Sequence, residues 1–171
     1  MPPAQQPPVT STLITSQRCE QLFREQAGSY DGRALGIHSC LPSTQHTQQL
    51  QADGWSPNQH PWLLDQQAGE QSLRCLLWVD PLLEYFAGHF PGHPILPGVV
   101  QLDWSLQLAA LHWPATAAAS QCIGVQNLKF KLPVHPAELL ELVLTQQPGK
   151  IAFTFSSPSE VRSQGTLLYR V

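Results

Sequence analysis

The stretch Gly88-His89-Phe90-Pro91-Gly92-His93-Pro94-Ile95-Leu96-Pro97-Gly98 constrains this chain more than any other. Pro91, Pro94 and Pro97 each lock φ and remove a backbone donor, so the stretch cannot be helix and would be poor strand. It predicts a bent, stiff loop that holds His89 in place. Pro97 presets a helical φ and Gly98 lets another group approach the backbone closely, which predicts a helix starting there. No breaker interrupts the run from Gly98 to Trp113, and Pro114 closes it. A histidine on a rigid loop, followed by a helix N-terminus, is the first candidate for a reaction centre.

Two apolar faces are legible on that helix. Val99, Leu102, Leu106 and Ala109 form one, and Val100, Trp104, Leu108 and Leu111 form the other. A helix apolar on two sides is expected to be buried, with a sheet wrapped round it. Asp103 and Gln107, four apart, share the narrow stripe between the faces. An aspartate among Leu102, Trp104 and Leu106 must be paired, protonated or functional unless the stripe is simply exposed.

The rest of the 171 residues divides in two. Residues 1–59 are dominated by Gln, Pro, Ser and Thr and predict a poorly ordered extension. One short amphipathic helix is expected there, over Ser16 to Ala27, with Gly28 as its stop. His38, His46 and His60 have irregular spacing and are expected to be solvated. Residues 60–171 predict a folded domain: a hairpin of Trp62–Leu64 and Ser72–Val79, a helical turn within Leu82–Phe86, the loop and helix, then four strands. Those strands are expected at Cys122–Leu132, Leu139–Gln146, Lys150–Ser156 and Gly165–Arg170, separated by turns at Pro133–Pro136, Gln147–Gly149 and Pro158–Glu160. This is an α+β layout with an antiparallel sheet.

Composition removes several classes of function. A net charge of -3 gives no basic footprint for nucleic acid or an anionic membrane. The four cysteines lie far apart without CxxC spacing, which predicts free thiols rather than disulfides or a metal site. His89 and His93 have HxxxH spacing, but Pro91 and Pro94 prevent the helix that would point both at one metal. His93 is expected to brace the turn, and His112 and His135 to lie at a surface or interface. No run approaches a membrane span, and Met1–Pro8 has neither the basic nor the apolar region of a signal peptide, so a soluble, cytoplasmic chain is expected. Only 12% of residues are charged, which favours an oligomer with part of its surface covered.

His89-Phe90-Pro91-Gly92-His93-Pro94-Ile95-Leu96-Pro97-Gly98, with Leu102-Asp103 and Gln107 behind it, resembles the active-site signature of the hotdog-fold 3-hydroxyacyl-carrier-protein dehydratases, FabZ and FabA. The resemblance extends over roughly Trp62 to Val171. Asn127-Leu128-Lys129-Phe130, Pro133-Val134 and Pro136 are similar to the next strand and turn of those enzymes, although Ala137-Glu138 stands where Gly-Asp is usual. Pro94 to Trp104 and Asn127 to Phe130 are most similar to the ApeI-type dehydratases of aryl-polyene pathways. The helix acid is Asp103, as in the FabA branch, where FabZ enzymes carry Glu.

The resemblance implies a dimeric hotdog fold, its antiparallel sheet wrapped around a long central helix. It implies removal of water from a 3-hydroxyacyl thioester on acyl carrier protein, in fatty-acid or aryl-polyene biosynthesis, with no cofactor. His89 would be the base, Asp103 the acid, and the Gly98 N–H the donor to the thioester oxygen. Phe90, Pro97, Val99, Trp104 and Gln107 would face substrate, Trp104 lining the acyl tunnel or the dimer seam. Histidine and acid would come from different subunits of a homodimer. A hotdog thioesterase, and a non-catalytic hotdog subunit that binds acyl carrier protein, are the alternatives.

Overall fold

A computed structural model of the chain describes residues 54–56, 58–117 and 121–170. The expected helix at Ser16–Ala27, with His38 and His46, lies outside the described residues. Six strands form one antiparallel sheet: β1 (Trp62–Ala68), β2 (Ser72–Trp78), β3 (Cys122–Phe130), β4 (Leu139–Gln147), β5 (Lys150–Ser156) and β6 (Val161–Tyr169). Their order across the sheet is β1-β2-β4-β5-β6-β3, so β1 and β3 are its edges. Between β2 and β3 come a short 3-10 turn (Glu84–Phe86) and one α-helix, α1 (Gly98–His112). No helix among the described residues is long and apolar enough to cross a membrane.

The strands form where period-two alternation meets firm turn chemistry. Leu73, Cys75 and Leu77 of β2, Leu140, Leu142 and Leu144 of β4, and Ile151, Phe153 and Phe155 of β5 are all buried. Register brings them into line, with Cys75 opposite Leu142 and Leu142 opposite Phe155. Gly149 turns β4 into β5 at φ 70°, a conformation that a side chain resists. Asp80 stops β2 by accepting the Leu82 N–H at 2.8 Å and the Trp62 indole N–H at 2.8 Å. Burial pushes the Cys75 thiol up to about 12, so it is an inert member of this core.

The last strand starts earlier than its composition predicts. Arg162, Ser163 and Gln164 are too polar to read as strand, but pairing with β5 carries Val161–Gln164 in. Ser163 is fully buried and donates its hydroxyl to Gln101 Oε1 of α1 at 2.6 Å. That bond ties the helix to the sheet and satisfies two buried polar groups at once.

Helix α1 lies against β4 and β6. Its buried residues are Val100, Gln101, Trp104, Ser105, Leu108 and Ala109, a single stripe at helical period. The expectation of two covered apolar faces is therefore corrected. Within the chain Val99 is 70% exposed, Leu111 is exposed, and Leu102 and Leu106 are only partly buried. Gln101 and Ser105 take their places inside because each has a hydrogen-bond partner there.

The folded unit also begins before residue 60. Trp55 belongs to the core, donating its indole N–H to the Pro61 carbonyl at 3.0 Å. His60, expected to be solvated, is 4% exposed and stacked on Trp55, with ring centroids 4.4 Å apart.

Candidate active site

The site begins with the backbone of the proline loop. Gly88, Phe90 and Gly92 have φ of 84°, 66° and 83°, so the backbone enters the left-handed region at every second residue from Gly88 to Gly92. At Phe90, which is not glycine, that conformation costs about 1–2 kcal/mol, and the surrounding loop holds it. Three contacts brace the loop: the His93 N–H to the Phe90 carbonyl (3.0 Å), the Leu96 N–H to the Val134 carbonyl (2.8 Å), and His135 Nδ1 to the Pro94 carbonyl (3.4 Å). It is the backbone of His93 that braces the turn; its side chain is exposed.

His89 Nδ1 lies 3.0 Å from the Ile95 carbonyl. A carbonyl oxygen only accepts, so Nδ1 carries the proton and Nε2 of the neutral ring keeps its lone pair. The ring is half-buried and tilted against Phe90, with centroids 4.6 Å apart. This loop thus presents a histidine with a fixed tautomer and one basic nitrogen that has no hydrogen-bond partner among the described residues.

Gly98 opens α1 behind Pro97, and no side chain caps the helix. The Val100 N–H donates to the Pro97 carbonyl (3.0 Å), which leaves the N–H groups of Gly98 and Val99 as the first donors at the positive end of the helix dipole. The close approach expected at Gly98 is made by the Phe130 ring of β3: a Cβ there would sit 2.6 Å from ring carbons. Glycine at this position lets the edge strand pack onto the helix start.

Asp103 is exposed, contrary to the expectation of an acid enclosed by apolar neighbours. Val99 and Asp103, four apart, sit on the open side of the helix, while Trp104 points inward. Asp103 Oδ2 accepts a hydrogen bond from Gln107 Nε2 at 2.7 Å. His89 and Asp103 take different partners in the chain, Ile95 and Gln107. Trp104 is also corrected: it is 0% exposed, and its indole N–H is donated to the Gln59 carbonyl at 2.9 Å. It is a core residue of its own chain and lines neither a surface nor a seam. Phe90 and Val99 are open, and Pro97 is intermediate.

Two residues of the site were not singled out by sequence. Tyr85, in the 3-10 turn that leads into the loop, is half-buried beside Asp103; burial raises its phenol, and the Asp103 and Glu84 charges add to that. Its position just ahead of the loop was the only signal. His60 reaches Gln107 from 47 positions away in sequence, its Nε2 lying 2.9 Å from Gln107 Oε1.

A family described as ApeI-like, the ApeI dehydratase, matches residues 65–166. The 3-hydroxyacyl-[acyl-carrier-protein] dehydratase FabZ of Thermus thermophilus is 30% identical over 126 residues, covering 66% of this chain and 89% of that protein. FabZ of Erythrobacter litoralis is 40% identical over 76 residues, 40% of this chain, and that match spans only half the length of the relative. Among solved structures, the dehydratase heterocomplex ApeI:P from Xenorhabdus doucetiae aligns with a TM-score of 0.59 and 28% identity, covering 64% of this chain and 98% of the matched one. His89, the helix start at Gly98 and Asp103 all lie within the residues that the family matches, and the chain belongs to the ApeI-like dehydratase family.

Proposed function

We propose that this chain removes water from a 3-hydroxyacyl thioester carried on acyl carrier protein, giving the 2-enoyl thioester, in fatty-acid or aryl-polyene biosynthesis. The Gly98 N–H polarises the thioester carbonyl as charge builds on its oxygen, a donor role worth roughly 3 kcal/mol. His89 Nε2 takes the C2 proton. The C3–O bond breaks, its electron pair leaving with the hydroxyl, and the carboxyl of Asp103 supplies the proton that completes water. A double bond forms between C2 and C3. The proton held by His89 then returns to the Asp103 carboxylate through solvent. The observation that carries the reading is the His89 Nδ1 contact to Ile95, which leaves Nε2 of a neutral ring available to act as the base.

A homodimer is part of the proposal. Edge strand β3 bonds only β6 within the described chain, and Ile123, Leu128 and Phe130 on it are exposed, as are Val99 and Phe90 near the helix start. A second copy laid along β3 would cover that apolar surface and the open edge. It would also bring a neighbour's loop toward Asp103, supplying the enclosure that a single chain lacks. Phe90, Pro97 and Val99 would then face the acyl chain.

The test is direct. The full chain is incubated with 3-hydroxyacyl- and crotonyl-loaded carrier protein, with mass and free thiol followed together. Loss or gain of one water supports the proposal; thiol release assigns a thioesterase instead, and no change leaves a binding subunit. Mass in solution checks the dimer, and a folded monomer at assay concentration overturns that part.

A further inference from the structure

Gln107 is held at both ends. Its Nε2 donates to Asp103 Oδ2 at 2.7 Å, and its Oε1 faces His60 Nε2 at 2.9 Å. An amide oxygen only accepts, so His60 Nε2 must carry a proton. On the other side of the ring, Nδ1 lies 2.8 Å from the Ser56 backbone N–H, which only donates. Both contacts select the same neutral tautomer, protonated on Nε2 and bare on Nδ1. The Ser56 carbonyl, 3.1 Å from Nδ1, is then a neighbour and not a partner. The result is a one-way relay: Ser56 N–H to His60, His60 to Gln107, Gln107 to Asp103.

Its direction matters because a glutamine amide can flip. With its oxygen pinned by His60, Gln107 can present only its NH₂ to the carboxyl group. That engages Oδ2 and leaves Oδ1 for a reacting group, and it supports the carboxylate once its proton has gone. The His60 ring is itself fixed by its stack on Trp55. The backbone around it is clamped on both sides: the Gln59 carbonyl accepts from Trp104 of α1 (2.9 Å), and the Gln59 side-chain amide donates to Glu84 beside Tyr85 (2.7 Å).

We propose that His60 is a positioning residue for the Asp103 carboxyl, acting through the Gln107 amide it orients. This rests on the dehydratase reading above. The experiment compares the full chain with His60→Phe, His60→Gln, Gln107→Leu and the double variant His60→Phe/Gln107→Leu in carrier-protein dehydration. His60→Phe keeps the stack and removes the donor; kcat is expected to fall about tenfold with KM little changed, the worth of one oriented hydrogen bond. His60→Gln places an amide N–H where Nε2 stood and restores most of the rate. The double variant is expected to be no slower than Gln107→Leu alone, because without the amide His60 has nothing to orient. Unchanged kcat in a folded His60→Phe, or losses that multiply in the double variant, overturn the proposal and leave the dehydratase reading intact. Imidazole ¹⁵N shifts give a readout that needs no turnover: Nε2 protonated, Nδ1 bare, and a shift on Gln107→Leu are expected. The opposite tautomer overturns the relay. A wild-type chain with the expected tautomer and no dehydration overturns the functional reading on which the role rests.

Discussion

The two sides of α1 are built for different tasks. On the inner side Val100, Gln101, Trp104, Ser105, Leu108 and Ala109 are all buried, and each polar side chain there makes a hydrogen bond. On the outer side Val99 and Asp103 are exposed, and Gln107 is partly so. The inner side loses stability when altered, because close-packed interiors refill poorly. The outer side, open to solvent, contributes less to the fold's stability and carries the acid that the proposed reaction uses. The helix shows that an acid need not be buried by its own chain to be a candidate for catalysis; it needs a place where another surface can enclose it.

The strongest way to break that contrast is to alter the outer side and the loop facing it. His89→Ala and Asp103→Asn are each expected to lower dehydration by about 10²–10⁴-fold while melting stays near wild type, since one is half-buried and the other exposed. Steady-state rates beside thermal unfolding check this, and a variant that loses both together would erase the distinction. Next is the inner side: Trp104→Ala is expected to cost about 3–5 kcal/mol, read by urea unfolding, because it empties a fully buried site and strands the Gln59 carbonyl.

Gly98 sits where the two sides meet. Gly98→Ala drives a methyl into the Phe130 ring and is expected to cost about 1–3 kcal/mol. Adding Phe130→Ala should recover much of that loss, since the ring is the obstacle; no recovery in the unfolding midpoint would place the strain elsewhere. A smaller effect is expected at the turn that braces the loop. Ala137 has φ 61°, so Ala137→Gly should stabilise by roughly 1 kcal/mol through relief of left-handed strain.

The smallest effect is a pH dependence beside that turn. Burial raises the Glu138 carboxyl above its ordinary value, with Arg162 (3.4 Å away) and His135 only partly offsetting it. A group whose folded pKa is raised contributes fully below its unfolded pKa and loses that contribution as pH rises through the folded one. The stability of the wild type minus that of Glu138→Gln should therefore fall as pH increases across that window and then level off. Urea titrations at stepped pH measure it; a difference that grows with pH would mean the Arg162 pairing outweighs burial.

Legibility followed locality. The turn residues Gly69, Pro133–Pro136, Pro148-Gly149 and Pro158 announced the strands between them, and Pro97 with Pro114 bracketed the helix to within a residue of Gly98–His112. Where a strand's own residues are polar the signal failed: Val161–Gln164 become strand through β5 and through the Ser163–Gln101 bond, neither of which is local. His89, Gly98, Asp103 and Gln107 could be picked out because loop, helix start and helix stripe lie in one continuous stretch. His60 could not, since its partner lies 47 residues on. Trp104 was misplaced because a helical period says which residues share a face but not which face meets the sheet.

By itself, then, the sequence determined the stiff histidine loop, the helix that follows it and the antiparallel strands, because prolines, glycines and apolar periods act on their immediate neighbours. Only the tertiary structure decided which side of α1 is core, that His60 is buried, and that His60 meets Gln107. Those outcomes depend on contacts between segments far apart in the chain, where packing and paired polar groups outweigh any local preference.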